Sequence, residues 1–134
     1  MRCLLQNQKC DKILVVNDSP TLNALLKIIL EAEGFSVVIT ETGSDGLEEA
    51  EKTQYHLILL DYVLPDIGGL DVCRELRKRK LTENVPIAFI SGKDEAEISE
   101  KIKEAGADAY IHPPYMGKVF INRINSIIST ENHG

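Results

Sequence analysis

The sequence predicts a doubly wound α/β domain with a parallel sheet, and three observations lead there. Ile13–Val16 and Leu57–Leu60 are apolar without interruption and too short for helices, so they read as strands covered on both faces. Strand-like and helix-like stretches alternate in five β/α units, with no repeat and no linker. Strands that end on Asn17-Asp18, Asp61 and Ser91 bring polar groups to the carboxyl edge, where open sheets of this kind gather their ligands.

Taken in order, Lys12–Val16 is the first strand. Ser19 offers an N-cap and Pro20 suits the first helical position, so a helix begins there, with Leu22, Leu25, Leu26, Ile29 and Leu30 on its buried face. Gly34 closes it. Phe35–Thr40 is the second strand, and its alternation places it at an edge of the sheet. Thr42-Gly43-Ser44 turns into a helix expected to end near Thr53, with Leu47 and Ala50 inward and Gly46 weakening it by about 1 kcal/mol relative to Ala. The central strand is Leu57–Asp61, and Pro65 with Gly68-Gly69 forces a loop after it. Leu70, Val72, Cys73 and Leu76 mark the next helix, whose basic tail Arg77–Lys80 reads as solvated charge complementing a helix C-terminus. Val85–Ile90 is the fourth strand. Asp94–Glu104 is a thinly apolar helix with Ala96, Ile98, Ile102 and Ala105 inward, stopped by Gly106. Ala107–Ile111 is a short fifth strand running into His112-Pro113-Pro114, and Val119, Phe120, Ile124, Ile127 and Ile128 carry a last helix to about Ser129.

At 134 residues the chain is sized for one domain that buries roughly two-thirds of its unfolded surface. Its expected bounds are 11–129, with a flexible lead over 1–10 and a tail over 130–134. A formal net charge of −6 argues against a duplex-DNA or anionic-membrane surface. Cys3, Cys10 and Cys73 are odd in number and lack a C-x-x-C spacing, so neither a disulfide framework nor a zinc site is indicated. The first residues do not read as a signal peptide, and no window approaches the roughly 18 apolar residues of a membrane helix. A cytoplasmic domain with reduced thiols is expected.

The crossover rule sets the ends of the first, third and fourth strands side by side. That edge collects Asn17, Asp18, Asp61 and Ser91. Two carboxylates, an amide and backbone carbonyls are hard oxygen ligands, suited to Mg²⁺ with water completing the shell. A carboxylate held against such a cation can attack phosphorus and form an acyl phosphate, and a hydroxyl at Ser91 would donate to one phosphoryl oxygen.

The signatures ILVVND at 13–18, LILLDYVLP at 57–65, FISG at 89–92 and GADAYIHPP at 106–114 stand in order at matching separations. Over residues 11–129 the chain resembles a response-regulator receiver domain of two-component signalling. The resemblance implies a flavodoxin-like sheet in the order 2-1-3-4-5 with five helices. It implies that Asp61 accepts a phosphoryl group from a histidine on a sensor kinase or a histidine phosphotransfer protein. Asp18, Asp61 and the backbone carbonyl of Val63 would bind Mg²⁺. Ser91 and Tyr110 match the switch pair, and Pro114 matches a proline that follows a cis peptide bond. An effector protein, or a second copy in a homodimer, would meet the face of the fourth helix, fifth strand and fifth helix, reached through Tyr110.

Two departures stand out. Asn17 occupies a position that is usually acidic, and Pro113 stands where the family has a lysine. Losing a charge-assisted bond to the phosphoryl group costs about 1.5–3 kcal/mol. The two changes remove one negative and one positive charge, so they are expected to compensate in part, and Asn17→Asp with Pro113→Lys should be non-additive. Val63 offers nothing to orient a water, and with Lys93 it flanks the water's approach, so slow loss of the phosphoryl group is expected. The alternative reading is a pseudo-receiver, an interaction module independent of phosphorylation. An aspartyl phosphatase would place a second Asp where Val63 stands, and an FMN carrier would not place an acid in the first loop, Asn17–Thr21.

Overall fold

The computed structural model describes residues 11–92 and 94–132, the last three by backbone alone. The expected lead over 1–10 and the position of Lys93 lie outside the described residues. Ten elements alternate strictly. They are β1 (Lys12–Val16), α1 (Pro20–Ala32), β2 (Ser36–Thr40), α2 (Gly43–Ala50), β3 (Leu57–Asp61), α3 (Gly69–Lys78), β4 (Ile87–Ile90), α4 (Glu95–Ala105), β5 (Ala109–Ile111) and α5 (Gly117–Asn132). All strand pairs are parallel, in the order β2-β1-β3-β4-β5. Among the described residues β2 pairs with β1 alone, as its alternating pattern predicts.

Period two along each strand divides the core in two. Leu14, Val16, Ile58, Leu60, Phe89 and Tyr110 face α2, α3 and α4, whereas Ile13, Val15, Leu59, Ile90 and Ile111 face α1 and α5. The unbroken apolar runs are the strands covered by both layers: Ile13, Leu14, Val15 and Leu57–Leu60 have no exposed surface.

Several boundaries and faces differ from the sequence reading, each for a local reason. α2 ends at Ala50 because the N–H groups of Glu51 and Lys52 bond back three residues, tightening the chain out of the helix. β4 starts at Ile87, since Val85 closes a turn onto Thr82 and Pro86 has no N–H. β5 starts at Ala109, because the Asp108 carboxylate takes the Ile87 N–H at 2.9 Å. Ala96 is exposed, not inward: it sits in the first turn, where its N–H bonds the Asp94 cap, and the buried stripe begins at Ile98. Val119 is also outward, at 85% exposure, and α5 is held to the sheet by Phe120, Ile124, Ile127 and Ile128. That helix continues to Asn132, past the expected end near Ser129.

The basic tail of α3 is more than solvated charge. Arg77 donates to the carbonyls of Gly106 (2.8 Å), Thr82 (3.0 Å) and Val85 (2.7 Å) and pairs with Asp108 (2.8 Å), tying α3 to the end of α4 and the start of β5. A planar fork of donors suits this task. Gly46 likewise has a role that its helix propensity hides. A Cβ there would lie 2.8 and 2.9 Å from the two Val16 methyls, so glycine lets α2 close on β1.

Candidate functional site

The carboxyl ends of β1, β3 and β4 form one edge because the β1–β3 and β3–β4 ladders run in step, with Val16 opposite Leu60 and Asp61 opposite Ile90. At the end of β1, Asn17 is buried and hydrogen-bonded on several sides. Its N–H donates to the Thr40 carbonyl (3.0 Å), its Nδ2 to Asn23 Oδ1 (2.9 Å), and Asn23 Nδ2 returns a bond to the Asn17 carbonyl (2.7 Å). The amide nitrogen of Asn17 is thus engaged by α1. Asp18, the next residue, is exposed.

Asp61 is half-buried. Burial pushes its carboxyl above the ordinary range, the Val63 and Tyr62 N–H groups pull it down, and the neighbouring Asp18 charge pushes it up again. The Val63 N–H reaches Asp61 Oδ1 at 3.4 Å. Asp61 therefore carries its charge half-buried and near a second carboxylate, an arrangement that a divalent cation relieves. Among the described residues no group of three or more His, Cys, Asp or Glu side chains is placed to hold a metal. A cation here would rest on two carboxylates, a backbone carbonyl and water, which fits Mg²⁺ better than the nitrogen and sulfur sets of zinc.

The loop that carries Asp61 into α3 is clamped at two places. Gly69 donates its N–H to the Tyr62 carbonyl at 3.0 Å, and a Cβ at Gly69 would sit 2.3 Å from the Asp61 carbonyl oxygen. Asp66 accepts from the N–H groups of Gly43 (2.7 Å) and Ser44 (3.0 Å), capping α2 from the loop after β3. The Ser44 hydroxyl and N–H, with the Gly43 N–H, hold the Asp66 carboxyl far below the usual carboxylate range.

Across the cleft, Ser91 follows β4 with its carbonyl oxygen accepting from two phenols, Tyr110 at 2.8 Å and Tyr115 at 3.3 Å. Tyr110 is buried, and the His112 ring meets it edge-on at 4.6 Å, on the same side of β5. His112 Nε2 contacts Glu95 of α4 at 2.7 Å. Pro113 is exposed, and the Pro113–Pro114 peptide bond is cis. Sequence reasoning did not single out Asn23, Asp66 or Tyr115, and it read Gly69 only as part of the loop signal after the central strand. Only Asn23 left a usable signal, as a polar residue three positions before Leu26 on the buried stripe of α1.

The sequence pattern of the response regulator receiver domain matches residues 13–125. The chain belongs to that family. It is 35% identical over 117 residues to the cell cycle transcriptional regulator CtrA of Caulobacter vibrioides, covering 87% of this chain and 50% of that protein. It is 37% identical over 117 residues to the response regulator ArlR of Staphylococcus saprophyticus, covering 87% and 52%. The receiver thus spans about half the length of the curated relatives it matches. A receiver domain protein from Methanospirillum hungatei JF-1 superposes with a TM-score of 0.85 at 30% identity, over 93% of this chain and 98% of that one. The receiver domain of a sensor histidine kinase from Pseudomonas aeruginosa PAO1 superposes with a TM-score of 0.81 at 26% identity, over 90% and 98%, and holds a magnesium ion in its active-site cleft. The present chain is accordingly a signalling domain of two-component systems. No helix among the described residues is long and apolar enough to cross a membrane.

Proposed function

We propose that this receiver is a phosphoacceptor in a cytoplasmic phosphorelay, with Asp61 the accepting residue and a phosphohistidine on a sensor kinase or phosphotransfer protein the donor. The supporting observation is the pairing at the cleft: a half-buried Asp61 whose carboxyl is raised by burial and, further, by the Asp18 charge. An Asp61 carboxylate oxygen attacks phosphorus, a P–O bond forms, and the P–N bond to the donor imidazole breaks with its electron pair left on nitrogen. Asp18, Asp61 and the Val63 carbonyl would hold Mg²⁺, which supplies positive charge to the phosphoryl oxygens when bound. The Ser91 hydroxyl donates to one of those oxygens. Val63, 59% exposed, presents only methyl groups to an approaching water, so the acyl phosphate is lost slowly.

The readout is the surface beside Tyr110. A groove of about 450 Å³ there is lined by His112, Pro114, Met116 and Val119 and offers an effector protein an apolar seat next to the switch residue. Pro113 favours the second reading, a pseudo-receiver that binds partners without phosphorylation, since it brings no cation to the site. Acetyl phosphate with Mg²⁺ followed by intact-mass measurement decides between them. The phosphoacceptor reading expects one phosphoryl adduct, absent from Asp61→Asn and lasting minutes or longer. An unlabelled wild type, or equal labelling of Asp61→Asn, overturns it.

A further inference from the structure

The Ser91 carbonyl is held from both sides of the sheet. Tyr110 belongs to the core layer under α3 and α4, whereas Tyr115 belongs to the layer under α1 and α5. Their hydroxyls converge on one oxygen, but unequally. At 2.8 Å the Tyr110 bond has the length of a strong O–H···O contact, and at 3.3 Å the Tyr115 bond lies beyond the usual range of about 2.5–3.0 Å. Removing the longer bond leaves the carbonyl still satisfied by Tyr110.

Tyr115 is placed to do something else. Tyr115 is 8% exposed and its ring packs edge-on against Phe120 at 5.9 Å, so its hydroxyl is aimed by packing. The residue that it bonds follows Ile90, the partner of Asp61 across the β3–β4 ladder. Burial, Tyr110 and the Asp61 charge together push the Tyr115 phenol up to about 12, so it carries its proton at neutral pH. Pro113 and Pro114, which precede it in the loop after β5, have neither an N–H nor a side-chain donor.

We infer that the Tyr115 hydroxyl is a hydrogen-bond donor to the phosphoryl group on Asp61, turning from the Ser91 carbonyl to a phosphoryl oxygen when the acyl phosphate forms. This rests on Asp61 being the phosphoacceptor. No proton is transferred: the phenol keeps its O–H and exchanges a long bond to a neutral carbonyl for one to an anionic oxygen, which is the stronger acceptor. The Ser91 carbonyl stays bonded to Tyr110, so the exchange leaves no buried group unsatisfied.

Tyr115→Phe removes only the oxygen, and Tyr110→Phe is its counterpart on the opposite face. Each is titrated with beryllofluoride, an anionic mimic of the bound phosphoryl group, at saturating Mg²⁺, and separately with Mg²⁺ alone. Loss of a hydrogen bond to a charged acceptor predicts roughly tenfold weaker beryllofluoride binding for Tyr115→Phe. Mg²⁺ affinity stays at the wild-type value, and Tyr110→Phe loses less. A role confined to holding the Ser91 carbonyl predicts the reverse order, because Tyr110 makes the shorter bond. Equal beryllofluoride affinities in Tyr115→Phe and wild type, or parallel losses of Mg²⁺ and beryllofluoride binding, overturn the inference. Should Tyr115→Phe fail to fold, the ¹³Cζ resonance of Tyr115 in the wild type serves instead: it moves on adding beryllofluoride if the phenol changes partner, and a fixed resonance refutes the exchange. Failure of the underlying reading looks different, since the wild type is then left unlabelled by acetyl phosphate or Asp61→Asn is labelled as well.

Discussion

The two walls of the cleft are built differently. On the β1–β3 side the backbone is held by close approaches that leave no slack. Gly69 lies on the Asp61 carbonyl, Gly43 is close enough to Val72 that a Cβ would come within 2.8 Å, and Gly46 lies against Val16. Asp66 bolts the loop after β3 to the start of α2, and Asn17 and Asn23 lock β1 to α1. On the β4–β5 side, the side-chain bonds described at the edge come from rotatable groups. The Ser91 carbonyl takes two phenols, His112 meets Glu95 in an exposed pair, and a Cβ at Gly92 would find nothing within 4 Å. Packed backbone has one arrangement, whereas a rotatable donor has several of similar energy. Asp61 thus sits on the closely packed wall, facing one held by rotatable donors.

Substitutions that tighten each wall test this contrast, and the largest effect falls on the rigid side. Gly69→Ala must displace the Asp61 carbonyl and is expected to cost about 3 kcal/mol or more in urea denaturation, while Gly92→Ala stays within about 0.5 kcal/mol. Similar losses at the two glycines would erase the distinction. Next comes Asn17→Asp. It sets a carboxylate oxygen against Asn23 Oδ1, and flipping Asn23 only brings its oxygen to the Asn17 carbonyl instead. A loss of about 1–3 kcal/mol without Mg²⁺ is expected by the same measurement. The charge-restoring cycle with Pro113→Lys therefore needs Asn23 as a third member; an unchanged denaturation midpoint for Asn17→Asp would show the amide pair to be dispensable. The smallest effect is that of Asp66→Asn, read by thermal melts across pH. A carboxyl lowered in the folded state stabilises it above the unfolded value of about 3.9 and loses that contribution as pH falls through the folded value. The Tm difference from wild type should thus be fullest near neutrality and narrow below about pH 4. A constant difference at every pH would mean that the cap works without its charge.

The strands, their order of appearance and the residues at their ends were legible in the sequence, because burial on both faces demands unbroken apolar runs and a helix layer demands its own period. Asp18, Asp61 and Ser91 could be picked out for the same reason: a polar residue that ends such a run has only the sheet's edge to go to. Asn23, Asp66, Gly69 and Tyr115 were not legible in this way. What each does depends on a partner from another element: Asn17, the start of α2, the Asp61 carbonyl and the Ser91 carbonyl. Local pattern set which strand-end residues reach the sheet's edge. Which wall is closely packed, and which donors meet at the Ser91 carbonyl, was decided by how closely the elements approach, a distance that no spacing along the chain encodes.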